Sequence, residues 1–154
     1  MERARDRLLL DTGILVARLG LGLVLVAYGW QKLFDWGIPM TAEIMSAGGV
    51  PLANVTAYIA TFVELIAGLA LILGVAVTTA GIGAAVLMTG AVVFVNIGSG
   101  IYTADGGFAF PLAVGVAALL VAATGAGRFS LDHVMIRPAR NRLDARRADR
   151  QPAG

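Results

Sequence analysis

Four polar side chains stand out because they interrupt stretches of the chain that are otherwise almost wholly apolar. They are Arg18, Lys32, Glu64 and Asn96. A charge near the middle of a membrane-spanning helix costs about 2.5–3.5 kcal/mol on insertion scales, so such a residue normally faces other helices and has a partner. Because Arg18 and Glu64 have opposite charges and lie in consecutive apolar stretches, we expect them to pair.

The depths of Arg18 and Glu64 differ by roughly four residues, or about 6 Å, which a long arginine side chain can close. Arg18 lies about six residues, or about 9 Å, into the first stretch, and Glu64 lies near the middle of the second, which runs the other way. Small residues share their faces and allow the two helices to approach closely, namely Gly22 and Gly29 with Arg18, and Thr61 and Gly68 with Glu64.

The pair has three interpretations. It is a strut that holds the helices in register, or it forms a polar pocket that binds a quinone or another small head group or relays protons. In the third, Arg18 extends to the cytoplasmic interface and does not meet Glu64.

Lys32 and Asn96 extend the candidate site towards the other end of the stretches. Lys32 either reaches lipid head groups or donates a hydrogen bond to a ligand oxygen. Asn96 either bonds between helices or lines a pocket with Lys32. The candidate binding residues are therefore Arg18, Thr61, Glu64, Lys32 and Asn96. We find no catalytic serine, histidine or paired-carboxylate arrangement and no metal-ligand set.

The stretches that position these residues are long enough to be membrane-spanning helices. Hydrophobic residues make up 58% of the 154 residues and charged residues 14%, whereas soluble domains are about half apolar and a quarter charged. A spanning helix needs about 20 mostly apolar residues, and four stretches qualify: 12–34, 53–73, 77–97 and 108–125. They lack the alternation of barrel strands. The fold class is thus an all-α membrane protein, an antiparallel bundle of four transmembrane helices.

Charge predicts the orientation of this bundle. Ten of the twelve basic residues flank the first and last stretches, so both termini should be cytoplasmic. Pro39 can begin, and Gly48 can end, a short helix in the outer interface. We divide the chain into a transmembrane domain, residues 1–135, and a flexible basic tail, 136–154, that orients the chain, contacts anionic lipid or recruits a cytoplasmic protein. Aromatic residues form a belt at the outer level: Trp30, Phe34, Trp36, Tyr102, Phe108 and Phe110.

Composition excludes several kinds of chemistry. The chain has no cysteine and a single histidine, His133, which rules out thiolate metal sites, iron–sulfur clusters and multi-histidine haem sites carried by this chain. No intrinsic cofactor and no nucleic-acid partner are indicated. The close spacing of small residues in the third stretch suits packing within the bundle, or a homo-oligomer.

Several short motifs, in this order, resemble the DoxX family. They are Arg18-Leu-Gly-Leu-Gly, Gly29-x-x-Lys32-Leu-Phe, Gly49-Val-Pro, Glu64 followed by Gly68 and Leu73-Gly74, and Gly125-Ala-Gly-Arg-Phe-Ser-Leu-Asp132, over about residues 12–135. The resemblance implies a small four-helix protein of the bacterial inner membrane. It also implies an association with quinol oxidase and thiosulfate:quinone oxidoreductase activity. In some bacteria it implies a membrane oxidoreductase complex, with superoxide dismutase and a sulfurtransferase, that serves in oxidative stress.

Together these observations predict a subunit or anchor of a redox complex that is not catalytic alone and that binds quinone in the polar pocket. Two alternatives stay open. One is a scaffold that recruits a cytoplasmic enzyme, and the other is a small transporter or lipid-binding protein.

Overall fold

The computed structural model describes residues 2–127, 130 and 131, with side chains from residue 5 onward. Its regular structure is helical, and these residues contain no strand. Helix α1 is Glu2–Trp30 and continues as a π-helical turn, Gln31–Asp35. The remaining elements are α2 (Gly37–Ala47), α3 (Ala53–Leu73), α4 (Val77–Gly90) with a second π-helical segment (Ala91–Asn96), two 3₁₀ turns (Ile97–Ser99 and Thr103–Asp105) and α5 (Ala109–Thr124).

Three of these helical segments are long and apolar enough to cross a membrane: Arg5–Asp35, Ala53–Leu73 and Val77–Ser99. Helix α5 has 16 residues, or about 24 Å, which is less than the roughly 30 Å of a bilayer's hydrocarbon core. The predicted fourth span, 108–125, is therefore shorter as a helix. Phe108 is its N-cap, and Gly125, with φ of 76°, ends it.

The outward surfaces of all four long helices are apolar. Leu23 on α1, Ile66 on α3, Val86 on α4 and Leu120 on α5 are each more than 60% exposed. Large apolar side chains exposed around a whole bundle would cause aggregation in water, but they suit a surface that faces lipid. The architecture is thus that of an all-α membrane protein, and its orientation in the membrane stays a prediction.

The start of α1 and the bounds of α2 can be compared with the sequence prediction. Helix α1 begins at Glu2 instead of residue 12, because the first residues favour helix and no glycine or proline interrupts them before Gly13. The short helix predicted between Pro39 and Gly48 is present as α2, and Gly48 is its C-cap. The basic tail assigned to 136–154 lies outside the described residues, as do the charges that orient that end of the chain.

The helices pack as two close pairs, α1 with α3 and α4 with α5, and α3 lies beside α4. Helix α1 meets α5 over a smaller area, which we call the α1–α5 seam. Glycines bring α1 and α3 together. A Cβ atom on Gly22 would lie 2.7 Å from the carbonyl oxygen of Gly68, and one on Gly68 would lie 2.7 Å from that of Gly22. This crossing therefore depends on the absence of side chains at both positions.

The two ends of the bundle are closed differently. Residues 74–76 join α3 to α4, and Gly74 takes the left-handed conformation, φ of 73°, that ends α3. We call this the turn end. At the opposite end, which we call the α2 end, Gly48 lies against the backbone of the second π-helical segment. A Cβ atom there would be 2.8 Å from the carbonyl oxygen of Phe94.

Candidate functional site

An ion pair between Lys32 of α1's π-helical turn and Glu64 of α3 lies inside the bundle. The Lys32 ammonium donates to both carboxylate oxygens of Glu64, at 2.8 Å to Oε1 and 2.7 Å to Oε2. The Glu64 side chain is 4% exposed and that of Lys32 is 14% exposed. Glu64 is thus enclosed, while Lys32 retains a narrow contact with the exterior.

The local sequence explains how the pair forms. Leu21, Leu25, Tyr28 and Lys32 are spaced by four, three and four residues, so they share one face of α1. One turn before Lys32, a Cβ atom on Gly29 would lie 2.8 Å from the Leu65 side chain. Because Gly29 has no side chain, α1 can approach α3 closely enough for the lysine to reach the carboxylate. Lys32 itself lies in a π-helical turn, a feature that often occurs at functional sites.

Aromatic rings adjoin the pair on the side of the α1–α5 seam. The Lys32 ammonium lies 5.5 Å from the centroid of the Tyr28 ring, within cation–π distance. The Tyr28 ring in turn packs on that of Phe110 in the first turn of α5, with centroids 5.0 Å apart and planes inclined by 30°. Tyr28 is 41% exposed. The sequence analysis did not single out Tyr28, although its position four residues before Lys32 places both on one helix face.

Arg18 belongs to a different part of the molecule, and the expected pairing of Arg18 with Glu64 is wrong. The Glu64 carboxylate bonds to Lys32, whereas the Arg18 Nε donates to the carbonyl oxygen of Leu71 at 2.9 Å and its Nη1 donates to that of Ala126. Leu71 is two turns beyond Glu64 on α3. Arg18 is 1% exposed, and it lies against Gly74 at the turn end.

Arg18 satisfies backbone groups that the fold leaves open. The last four carbonyls of a helix have no partner within it, and Leu71 is one of these in α3. Ala126 lies in the segment that follows α5. One guanidinium therefore fastens the end of α3 to the chain that leaves α5, which is the behaviour of a strut.

The remaining two candidates also make local bonds. Thr61, one turn before Glu64, is completely buried, and its hydroxyl donates to the carbonyl of Ala57 at 2.8 Å. The Asn96 amide donates to the carbonyl of Gly106 at 2.7 Å, so it fastens the loop that leads into α5. The structure thus pairs Lys32 with Glu64, leaves Thr61 one turn away on α3 with a bond inside its own helix, and places Arg18 and Asn96 elsewhere.

The pair is weak evidence for added stability. Replacing a buried ion pair by apolar residues of similar size is often neutral or stabilising, so stability alone does not account for it. In the described part of the chain no three acidic or histidine side chains gather to hold a metal ion. The chemistry available is hydrogen bonding from an ammonium and proton exchange at a carboxylate.

Comparison with known proteins gives one match. The family model of DoxX matches residues 13–97, more than half of the 154-residue chain. The matched segment contains all five candidate residues and ends before Phe110. No curated protein and no solved structure matches the chain.

Proposed function

The chain belongs to the DoxX family, and from that premise we propose that it is a membrane subunit of a redox complex that binds a quinone head group at the Lys32–Glu64 pair. The observation that carries the proposal is the enclosed ion pair, bonded through both carboxylate oxygens. Ionisable residues within membrane helices are, by default, functional-site candidates.

The two side chains offer what a quinone head group needs. An ammonium has three donors and no acceptor, so Lys32 can donate to a quinone carbonyl while it still contacts Glu64. The carboxylate can exchange a proton with the hydroxyl of a quinol. Because the chain has no cysteine and one histidine, electrons would come from a partner protein, and this subunit would hold the lipid-soluble substrate.

The partner and the orientation form part of the same proposal. The redox partner would sit on the cytoplasmic side of a bacterial inner membrane, where the basic tail, 136–154, can recruit it. The tail lies outside the described residues. In this arrangement the bundle is both the anchor of the complex and its quinone site.

Co-purification tests the proposal. We expect protein extracted in mild detergent with native lipid to carry about one quinone per chain, and Glu64→Gln to carry none, because an amide cannot hold the lysine as a carboxylate does. Mass spectrometry of the extracted small molecules measures the ratio. Glu43→Gln, the same change at an exposed position of α2, is the matched control and should retain the quinone. Equal quinone content in the Glu64 and Glu43 variants would refute the site.

A further inference from the structure

The Lys32–Glu64 pair is largely enclosed in this structure, and the narrow exposure of Lys32 does not admit a quinone ring, so a ligand needs a wider route to the pair. Glu64 is 4% exposed, and the ring of Tyr28 lies beside the ammonium. Helix α1 packs more extensively on α3 than on α5, and the α1–α5 seam is the sparser of these two contacts. A route through the seam therefore separates fewer packed residues than a route between α1 and α3.

Different side chains fill the α1–α5 seam at its two ends. Nearer the turn end, Leu21 and Leu25 of α1 belong to the buried core together with Val114 and Ala118 of α5. One turn closer to Lys32, the core residues give way to the Tyr28–Phe110 ring pair, whose Tyr28 member is 41% exposed. These rings therefore lie between the buried core and the ammonium on this side of the bundle.

Phe110 is partly buried and packs against the edge of the core. It lies in the first turn of α5, and it follows a loop, residues 97–108, that contains Gly98, Gly100, Gly106 and Gly107. The backbone N–H groups of Phe108 and Ala109 donate to the carbonyls of Gly100 and Ile101, which ties this loop to the start of α5. A ligand that enters here would therefore have to turn the Phe110 side chain aside while the helix start stays in place. Asn96 is the side chain that fastens this loop, at Gly106.

We propose that Tyr28 and Phe110 form the membrane-facing entrance to the Lys32–Glu64 pair, and that a flat quinone ring enters between α1 and α5 by displacing Phe110 and stacking on Tyr28. The inference rests on the proposed function, since it names the entrance to the same site. Offset stacking suits two rings with centroids 4.5–7 Å apart, so a quinone ring can occupy the place of Phe110 on Tyr28. Its carbonyl oxygens would then lie within a side-chain movement of Lys32.

The absence of cysteine allows a clean test of this entrance. We would introduce Tyr28→Cys with Phe110→Cys, join them with a short reducible bifunctional thiol reagent, and follow the exchange of bound quinone for deuterated short-chain ubiquinone or menaquinone in lipid vesicles. Because a closed gate controls release, cross-linking should slow exchange at least about tenfold, and reduction of the cross-link should restore it.

The matched control is Thr89→Cys with Leu112→Cys. These residues line a shallow apolar groove of about 90 Å³ between α4 and α5, and their cross-link should leave exchange unchanged. Phe110→Ala, which opens the entrance without a cross-link, should accelerate exchange several-fold, whereas Phe34→Ala, which removes a ring packed on Trp30, should not.

The outcomes separate the two proposals. If quinone binds but its exchange is unaffected by the Tyr28–Phe110 cross-link, the entrance is elsewhere and the proposed function stands. If neither quinone binds to the unsubstituted protein, the proposed function fails and the entrance fails with it.

Discussion

Glu64→Leu should lower the free energy of unfolding by about 3–5 kcal/mol, the usual cost of removing one partner of a buried ion pair. The reason is that the Lys32 ammonium, 14% exposed, would keep its charge inside the bundle without the carboxylate that both its bonds now reach. Adding Lys32→Met should recover most of the loss, because an apolar pair of similar volume carries no unpaired charge. Unfolding of the detergent-solubilised protein, followed by circular dichroism, measures both effects.

This double variant also separates stability from binding. We expect Lys32→Met with Glu64→Leu to fold as well as the parent protein and yet to carry no quinone. Glu43→Leu, at an exposed carboxylate, is the control for replacing glutamate by leucine. Two results would count against the pair as described: a double variant no more stable than Glu64→Leu alone, or one that retains its quinone.

Arg18→Met should also destabilise the bundle strongly, by about 3–5 kcal/mol, because two carbonyl oxygens would each lose a hydrogen bond to a charged donor worth about 1.5–3 kcal/mol. These are the carbonyls of Leu71 and Ala126. Arg18→Lys should restore only part of the loss, since an ammonium lacks the planar fork of a guanidinium. The same unfolding measurement applies.

Arg7→Met is the matched control, because Arg7 is exposed on the same helix. We further expect the Arg18→Met protein that does fold to retain quinone at the parental ratio, since Arg18 is bonded at the turn end and not to Glu64. If Arg18→Met costs no more stability than Arg7→Met, Arg18 is not a strut. If Arg18→Met protein is stable but carries no quinone, Arg18 is part of the quinone site after all.

Much of the fold could be predicted from hydropathy and from the positions of proline and glycine. The apolar stretches marked the long helices because a spanning helix needs a fixed length of apolar chain. Pro39 and Gly48 indicated α2 because proline suits the first turn of a helix and glycine its end, although the helix begins two residues before Pro39, at Gly37. The length of α1 was underestimated, because its first turns contain charged residues. Such residues can be helical, but a search for apolar stretches does not detect them.

The partners within the site could not be predicted in the same way. Pairing Arg18 with Glu64 assumed that the start of the first stretch and the end of the second lie at the same membrane level, but hydropathy does not determine how far one helix is displaced along another. Contact at Gly22–Gly68 places Arg18 beside Leu71 and Gly74, two turns away from Glu64. The π-helical turn that carries Lys32 also has no signature in the pattern of apolar residues. Asn96 was placed at the correct end, but its bond to Gly106 depends on the path of a loop.

The most direct test of the quinone site uses the fact that Lys32 is the single lysine of the chain. Protein labelled with ¹⁵N at lysine Nζ and reconstituted in quinone-free lipid discs gives one ammonium signal, which can be followed while short-chain ubiquinone or menaquinone is added. We predict a saturable shift of this signal with at least one of the two quinones, complete at about one ligand per chain and absent in Glu64→Gln, because a bound carbonyl would accept a hydrogen bond from the ammonium. An unmoved Lys32 signal at saturating concentrations of both quinones would contradict the account and would leave the pair a purely structural feature.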